Sequence, residues 1–188
     1  MSSFHIKNMH YALNVSILGL DLSLTSTGWA TNGKTGSISV KTKESQRLYD
    51  IRKEINRVIE ENGVTAVVVE GYAFAARNSQ SHKIGELGGV IRLMLFELGI
   101  PYTDVPPTCR AKFATGRGNA AKTEVISAVS ARTGIVWSGK GADDEVDAWL
   151  LEEMGLHAIG EGRYDWPSAN KDAMKTIDWS SLIESGKK

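Results

Sequence analysis

The sequence predicts an α/β protein, a mixed β-sheet with helices on its faces. Three observations carry this reading. Two short apolar runs, Val15-Ser-Ile-Leu-Gly-Leu20 and Ala66-Val-Val-Val69, have the length and branching of strands buried on both faces. Two longer stretches repeat apolar residues at helical spacing. Strand and helix signals also alternate along the chain: strand, hairpin, helix, strand, helix, strand, then helices.

Taken in order, residues 1–13 read as a polar arm and residues 15–21 as the first strand. Asn32-Gly33, between residues 28–31 and 36–41, is a strong hairpin signal. Residues 44–62 put Leu48, Ile51, Ile55, Val58 and Ile59 on one helical stripe, and Gly63 supplies the stop. Residues 64–70 form a second buried strand. Residues 79–98 form a helix with Ile84, Leu87, Val90, Ile91, Met94, Leu95 and Leu98 inward. Gly88-Gly89 inside it costs helix stability and implies the close approach of another backbone. A short strand at 101–105 is closed by Pro106-Pro107. A short helix at 108–114, a Gly-containing loop at 115–121 and a helix at 122–132 follow. After the loop at 135–141 comes a helix at 143–157 with an acidic first turn, as the helix dipole favours. From Gly160 onward the chain reads as irregular. The chain thus divides into an arm (1–13), one domain (14–158) and a C-terminal extension (159–188).

Composition narrows the function classes. The 188 residues, 41% hydrophobic and 23% charged, are those of one soluble globular domain. No apolar run approaches the roughly 18 residues of a membrane span, and residues 1–7 lack a secretory h-region. A single cysteine, Cys109, excludes an internal disulfide and fits a reducing, cytoplasmic setting. It reads better as a small packed thiol than as a nucleophile. Net charge is zero but unevenly spread. Residues 140–188 hold 6 Lys+Arg against 11 Asp+Glu, and residues 1–139 hold 16 against 11. Between Asp104 and Glu124 there is no acid, only Arg110, Lys112, Arg117 and Lys122. Such a strip suits phosphate contacts as well as it suits a solvated loop.

Four acids carry the chemistry. Asp21 ends the first apolar run and Glu70 the second, while Asp144 and Asp147 precede the apolar stretch Ala148-Trp-Leu-Leu151. Carboxylates beside buried strands are costly unless compensated. The usual compensator is a divalent cation with oxygen ligands, which points to metal-assisted chemistry on phosphate. If the two strands are neighbours, Asp21 and Glu70 meet. Asp144 and Asp147, at i and i+3, share one helix face and could complete the cluster. Singly, three of these acids have a plainer explanation: Asp21 as a turn cap, Asp144 and Asp147 as an acidic first turn, to which Asp143 and Glu145 also belong.

At this point the chain resembles the RuvC family of Holliday-junction resolvases, within the RNase H-like superfamily. The matching stretches are Ile17-Leu-Gly-Leu-Asp-Leu-Ser-Leu-Thr-Ser-Thr-Gly28, Val67-Val-Val-Glu-Gly-Tyr-Ala-Phe-Ala-Ala-Arg-Asn78, Gly118-Asn-Ala-Ala-Lys-Thr-Glu-Val125 and Asp144-Glu-Val-Asp-Ala148. The resemblance implies an RNase H-like mixed sheet and two-metal hydrolysis with Mg²⁺, for which Mn²⁺ substitutes. It implies Asp21, Glu70, Asp144 and Asp147 as the metal-binding and catalytic acids, and Lys122 as a basic residue at the scissile phosphate. Lys112 matches a second active-site lysine, although the loop here is one residue shorter. Phe74 matches an aromatic that wedges against junction bases, with Tyr72 as its rival and burial under the next helix as the plainer role. Arg77 matches the basic residue beyond it, and Arg117 belongs to the basic strip. The implied partners are four-way and other branched DNA, flaps and forks included, and a second copy of the chain. Gly88-Gly89 marks the candidate dimer face, and no membrane is involved. Bulky Trp149, the arm and the tail depart from the family pattern and suggest a divergent member, such as a phage-encoded enzyme acting in its host's cytoplasm.

Two other readings use the same residues. Residues 21–28 could form the phosphate hairpin of an actin-like or sugar-kinase-like nucleotide-binding domain, although such proteins need two related domains. A module that grips branched DNA without cutting it would carry a broken acid set, whereas all four acids are present here.

Overall fold

The computed structural model describes residues 15–71 and 79–185. Five strands form one sheet in the order β3-β2-β1-β4-β5. They are β1 (Ile17–Asp21), β2 (Thr27–Thr31), β3 (Lys34–Ile38), β4 (Ala66–Glu70) and β5 (Tyr102–Val105). β1 pairs antiparallel with β2 and parallel with β4, β2 with β3 is antiparallel, and β4 with β5 is parallel. The hairpin turns on Asn32 (φ 52°) and Gly33 (φ 76°), the left-handed pair that its tight turn requires.

Side chains alternate across the sheet as strand geometry dictates. Leu18, Leu20, Val67 and Val69 face one helical layer, α1 (Glu44–Asn62) and α2 (Ser79–Glu97). Ile17, Ala66 and Val68 face the other, built on α3 (Pro107–Thr115), α4 (Lys122–Thr133) and α5 (Ala142–Ala158). The predicted stripe of α1 is buried at Ile51, Ile55, Val58 and Ile59, and Gly63 ends it in the left-handed region at φ 59°. In α2, Leu87, Ile91, Met94 and Leu95 are buried, whereas Ile84 and Leu98 are 37% and 46% exposed. Those two are in phase with the stripe but lie beyond the stretch that covers the sheet, and Leu98 follows the last helical residue.

α5 crosses the sheet at backbone distance. A Cβ built on Gly28 would overlap the carbonyl of Asp144, and one on Gly19 would overlap the carbonyl of Ala148 and lie 2.6 Å from the amide nitrogen of Glu152. No side chain fits between these strands and this helix, so the helix that carries Asp144 and Asp147 lies directly on β1 and β2.

The tail, irregular to sequence patterning, holds α6 (Ser168–Lys171), a single 3₁₀ turn (Asp172–Met174) and α7 (Ser180–Ser185). It packs into the same cluster as α5 through Trp166, Ala173 and Leu182, all at most 3% exposed. Ser181 Oγ donates to the Tyr102 carbonyl (2.9 Å), and Thr103 Oγ1 donates to the Asp178 carbonyl (3.3 Å), so α7 covers the outer edge of β5. Among the described residues no helix is long and apolar enough to cross a membrane.

Candidate active site

The parallel pairing of β1 with β4 aligns Leu20 with Val69, which brings the next residues, Asp21 and Glu70, side by side at the strand ends. Both follow the alternation that points toward α3 and α5. Asp21 pairs with Gly28 across β2, and over Gly28 lies the first turn of α5. Strand register and helix clearance thus deliver Asp21, Glu70, Asp144 and Asp147 to one end of the sheet.

Part of the Asp21 residue stays accessible, but its carboxyl is enclosed. Burial holds its pKa well above the usual carboxylate range, the charge and hydrogen bond of Glu70 and the charge of Asp147 add to this, and Arg110 opposes it. Asp147, with its side chain 4% exposed, is pushed up to about 6, by burial first, with Arg110 opposing and Glu70 adding. Asp144 is more open, its side chain 16% exposed.

Arg110 is the centre of this cluster, and sequence patterning does not single it out. Its Nε donates to Glu70 Oε1 at 2.6 Å, and its Nη1 donates to Asp147 Oδ1. Burial works against its charge, while Glu70 and Asp147 hold its pKa above the ordinary value. The expectation from resemblance fell on Lys112, two residues further along α3. Residues two apart on a helix do not share a face, so Arg110 and Lys112 cannot both meet the acids. Lys112 instead contributes its charge to Asp172 in the tail, on the far side of α3. The one signal that could have found Arg110 is its place in the acid-free strip with a fork suited to two carboxylates.

At the rim, Lys122 Nζ donates to Asp143 Oδ2 at 2.7 Å and lies 4.0 Å from Asp144 Oδ1. Its pKa is raised by that hydrogen bond first, and Lys122 in turn holds Asp143 below the usual range. Asp143 is therefore a partner of Lys122, and the Asp144 carboxylate, in the turn that lies over Gly28, stands 4.0 Å from the same lysine. Arg117 pairs with Glu124 at 2.7 Å on the neighbouring loop. Tyr72, Phe74 and Arg77 lie outside the described residues; they follow Glu70 and Gly71 directly in sequence. A second buried acid pair, Glu152 and Glu153, also escapes sequence patterning. It belongs to a separate network with Arg163, whose Nη2 and Nε donate to the two carboxylates at 3.0 and 2.9 Å.

Among the described residues no group of three or more Asp, Glu, His or Cys side chains is arranged to hold a metal ion, and the Arg110 guanidinium lies between Glu70 and Asp147. The donor chemistry nevertheless fits a hard divalent cation. All four acids supply oxygen, and burial with mutual repulsion leaves Asp21 and Asp147 short of positive charge.

The family profile described as crossover junction endodeoxyribonuclease RuvC matches residues 17–143. The chain belongs to the RuvC family. Its relatives include the RuvC crossover junction endodeoxyribonuclease of Sorangium cellulosum, 29% identical over 77% of this chain and 86% of that protein. That of Prochlorococcus marinus is 28% identical over 75% of this chain and 97% of its own. The fold is that of Thermus thermophilus RuvC, solved in complex with a Holliday junction substrate, at a TM-score of 0.61 and 21% identity over 80% of this chain and 99% of that one. Yeast mitochondrial Holliday junction resolvase Ydc2 shares it at 0.53, with 11% identity over 92% of this chain and 80% of that one. Membership makes the chain a metal-dependent nuclease of the RNase H-like fold.

Proposed function

We propose that the chain resolves four-way DNA junctions by Mg²⁺-dependent phosphodiester hydrolysis, acting as a homodimer. The observation that carries this is the convergence of Asp21, Glu70, Asp144 and Asp147 on one end of the sheet, drawn from two strand ends and one helix face. These four acids would hold the metal, with Mn²⁺ accepted in place of Mg²⁺. Bound divalent cations supply Lewis-acid charge and lower the pKa of an attacking water. Lys122, 63% exposed at the rim, meets the scissile phosphate and offsets its developing charge. Arg110 holds Glu70 and Asp147 in place. Phe74, with Tyr72 as its rival for the role, stacks on bases at the opened junction centre, where a base–aromatic stack contributes about 1–3 kcal/mol. Arg77 and Arg117 contact the backbone. Lys112 faces a different surface, so it serves the arms of the DNA rather than the scissile phosphate.

Two symmetric nicks need two sites, which a two-fold dimer supplies. The outer face of α2 suits that contact. Leu93 and Phe96 are 58% and 81% exposed, and nothing stands within 4 Å of a Cβ built on Gly89. The single thiol fits a cytoplasmic setting.

The test is cleavage of synthetic four-way junctions, flaps and forks side by side in Mg²⁺ and in Mn²⁺. Paired symmetric nicks on the four-way junction, faster than on flaps or forks, are expected. Equal rates on linear duplex would overturn the substrate, and Asp21→Asn or Glu70→Gln cutting at the wild-type rate would overturn the metal site.

A further inference from the structure

We infer that the C-terminal segment, residues 159–185, acts as a strap that sets the position of Arg110, with Asn170 and Trp166 as its positioning residues. This rests on Arg110 being part of the active site. The family match ends at residue 143, so the strap lies outside it.

α3 is nine residues long, started by Pro107 and ended by Gly116 in the left-handed region at φ 82°. A helix this short does not hold itself in place. Its anchor is Phe113, one turn beyond Arg110 and fully buried. Trp166 of the tail packs on the Phe113 ring at 4.6 Å between centroids. Buried Asn170 donates from Nδ2 to the Phe113 carbonyl at 2.8 Å. The other end of the strap is fixed to α5. Glu153, 0% exposed, accepts from the Arg163 and Tyr164 amides, each at 3.0 Å, and from Trp166 Nε1 at 3.4 Å. The contacts close a ring: Asp147 and Glu153 on α5, Trp166 and Asn170 in the tail, Phe113 and Arg110 on α3, and Arg110 back to Asp147. Neither Asn170 nor Trp166 touches an acid of the site. They fix where α3 lies relative to α5, and hence where the guanidinium lies between Glu70 and Asp147.

The test is a double-mutant cycle on the full chain, Asn170→Ala with Arg110→Lys, reading junction turnover, junction affinity and the Arg110 Nε–H signal by NMR. A misplacement near 1 Å can cost on the order of 10²-fold in rate. Asn170→Ala is therefore expected to lower turnover at least tenfold, leave affinity within about threefold, and broaden or shift the Nε–H signal. In the Arg110→Lys background the same change should have little further effect on turnover, because coupled residues are not additive. Equal turnover losses in both backgrounds, or an unchanged Nε–H signal, would reduce the strap to core packing and overturn the inference. Arg110→Lys alone cutting at the wild-type rate would instead remove Arg110 from the site, a separate failure. If Asn170→Ala does not fold, Trp166→Phe, which keeps a ring against Phe113 and loses the indole N–H, enters the same cycle with the same expected outcomes.

Discussion

Three carboxylates, Asp21, Glu70 and Asp147, share one guanidinium, so the fully ionised inner site is short of positive charge. The consequence depends on pH with a definite sign. Asp147 has a folded pKa of about 6 against 3.8 for the free side chain, and Asp21 is raised as well. Between those values of Asp147 the folded state binds more protons than the unfolded one, so Asp147 lowers stability as pH rises from roughly 4 to 6, and Asp21, raised as well, acts in the same direction. A cation binds the deprotonated form and reverses the loss. Adding Mg²⁺ should therefore raise the melting temperature more at pH 8 than at pH 5, as measured by thermal denaturation of metal-stripped protein. A larger shift at pH 5 would contradict the assignment. Arg110→Gln removes the buried cation between Glu70 and Asp147 and should destabilise the metal-free protein by about 3–5 kcal/mol. Mg²⁺ should recover more of that loss than it adds to the wild type, as read from denaturant titrations with and without the ion.

Element packing places these charges. β1 and β2 meet α5 with no side chain between them at Gly19 and Gly28. Gly28→Ala should lift the start of α5 and move Asp144 away from Asp21. Overpacking of this kind costs about 1–3 kcal/mol, and cleavage should fall on the order of 10²-fold while junction binding persists. A gel-shift assay beside a cleavage time course separates the two effects. How far sequence predicts each element follows from how local its cause is. β1 and β4 are legible because an acid ends each apolar run, and α1 because its stripe and Gly63 agree. α3 is legible as a short helix but not in its facing: it carries no clear apolar stripe and sets Arg110 and Lys112 two residues apart, so only its packing decides which one faces inward. The tail helices are four to six residues long and are held by Trp166 and Leu182 against distant elements, which leaves no period to read. Glu152 and Glu153 look like ordinary helix-surface acids until Arg163, about ten residues on, folds back over them.

At the scale of the whole molecule, two layers divide the work. The α3–α5 layer and the tail build the site, while the α1–α2 layer closes the other face of the sheet and offers Leu93 and Phe96 outward. Leu93→Asp with Phe96→Asp should leave the fold intact and yield a monomer by light scattering, with paired junction cuts replaced by single nicks. A dimer that survives both changes would move the interface elsewhere. The bare contact under α5 also bears on descent. In the proposed function Asp21 and Asp144 serve only the cutting of DNA, but Gly19 and Gly28 are needed for the helix to lie down at all. A lineage that abandoned cleavage and kept its grip on branched DNA would let the acids drift and retain both glycines. In such a relic the glycines, rather than the acids, would be the surviving mark of ancestry.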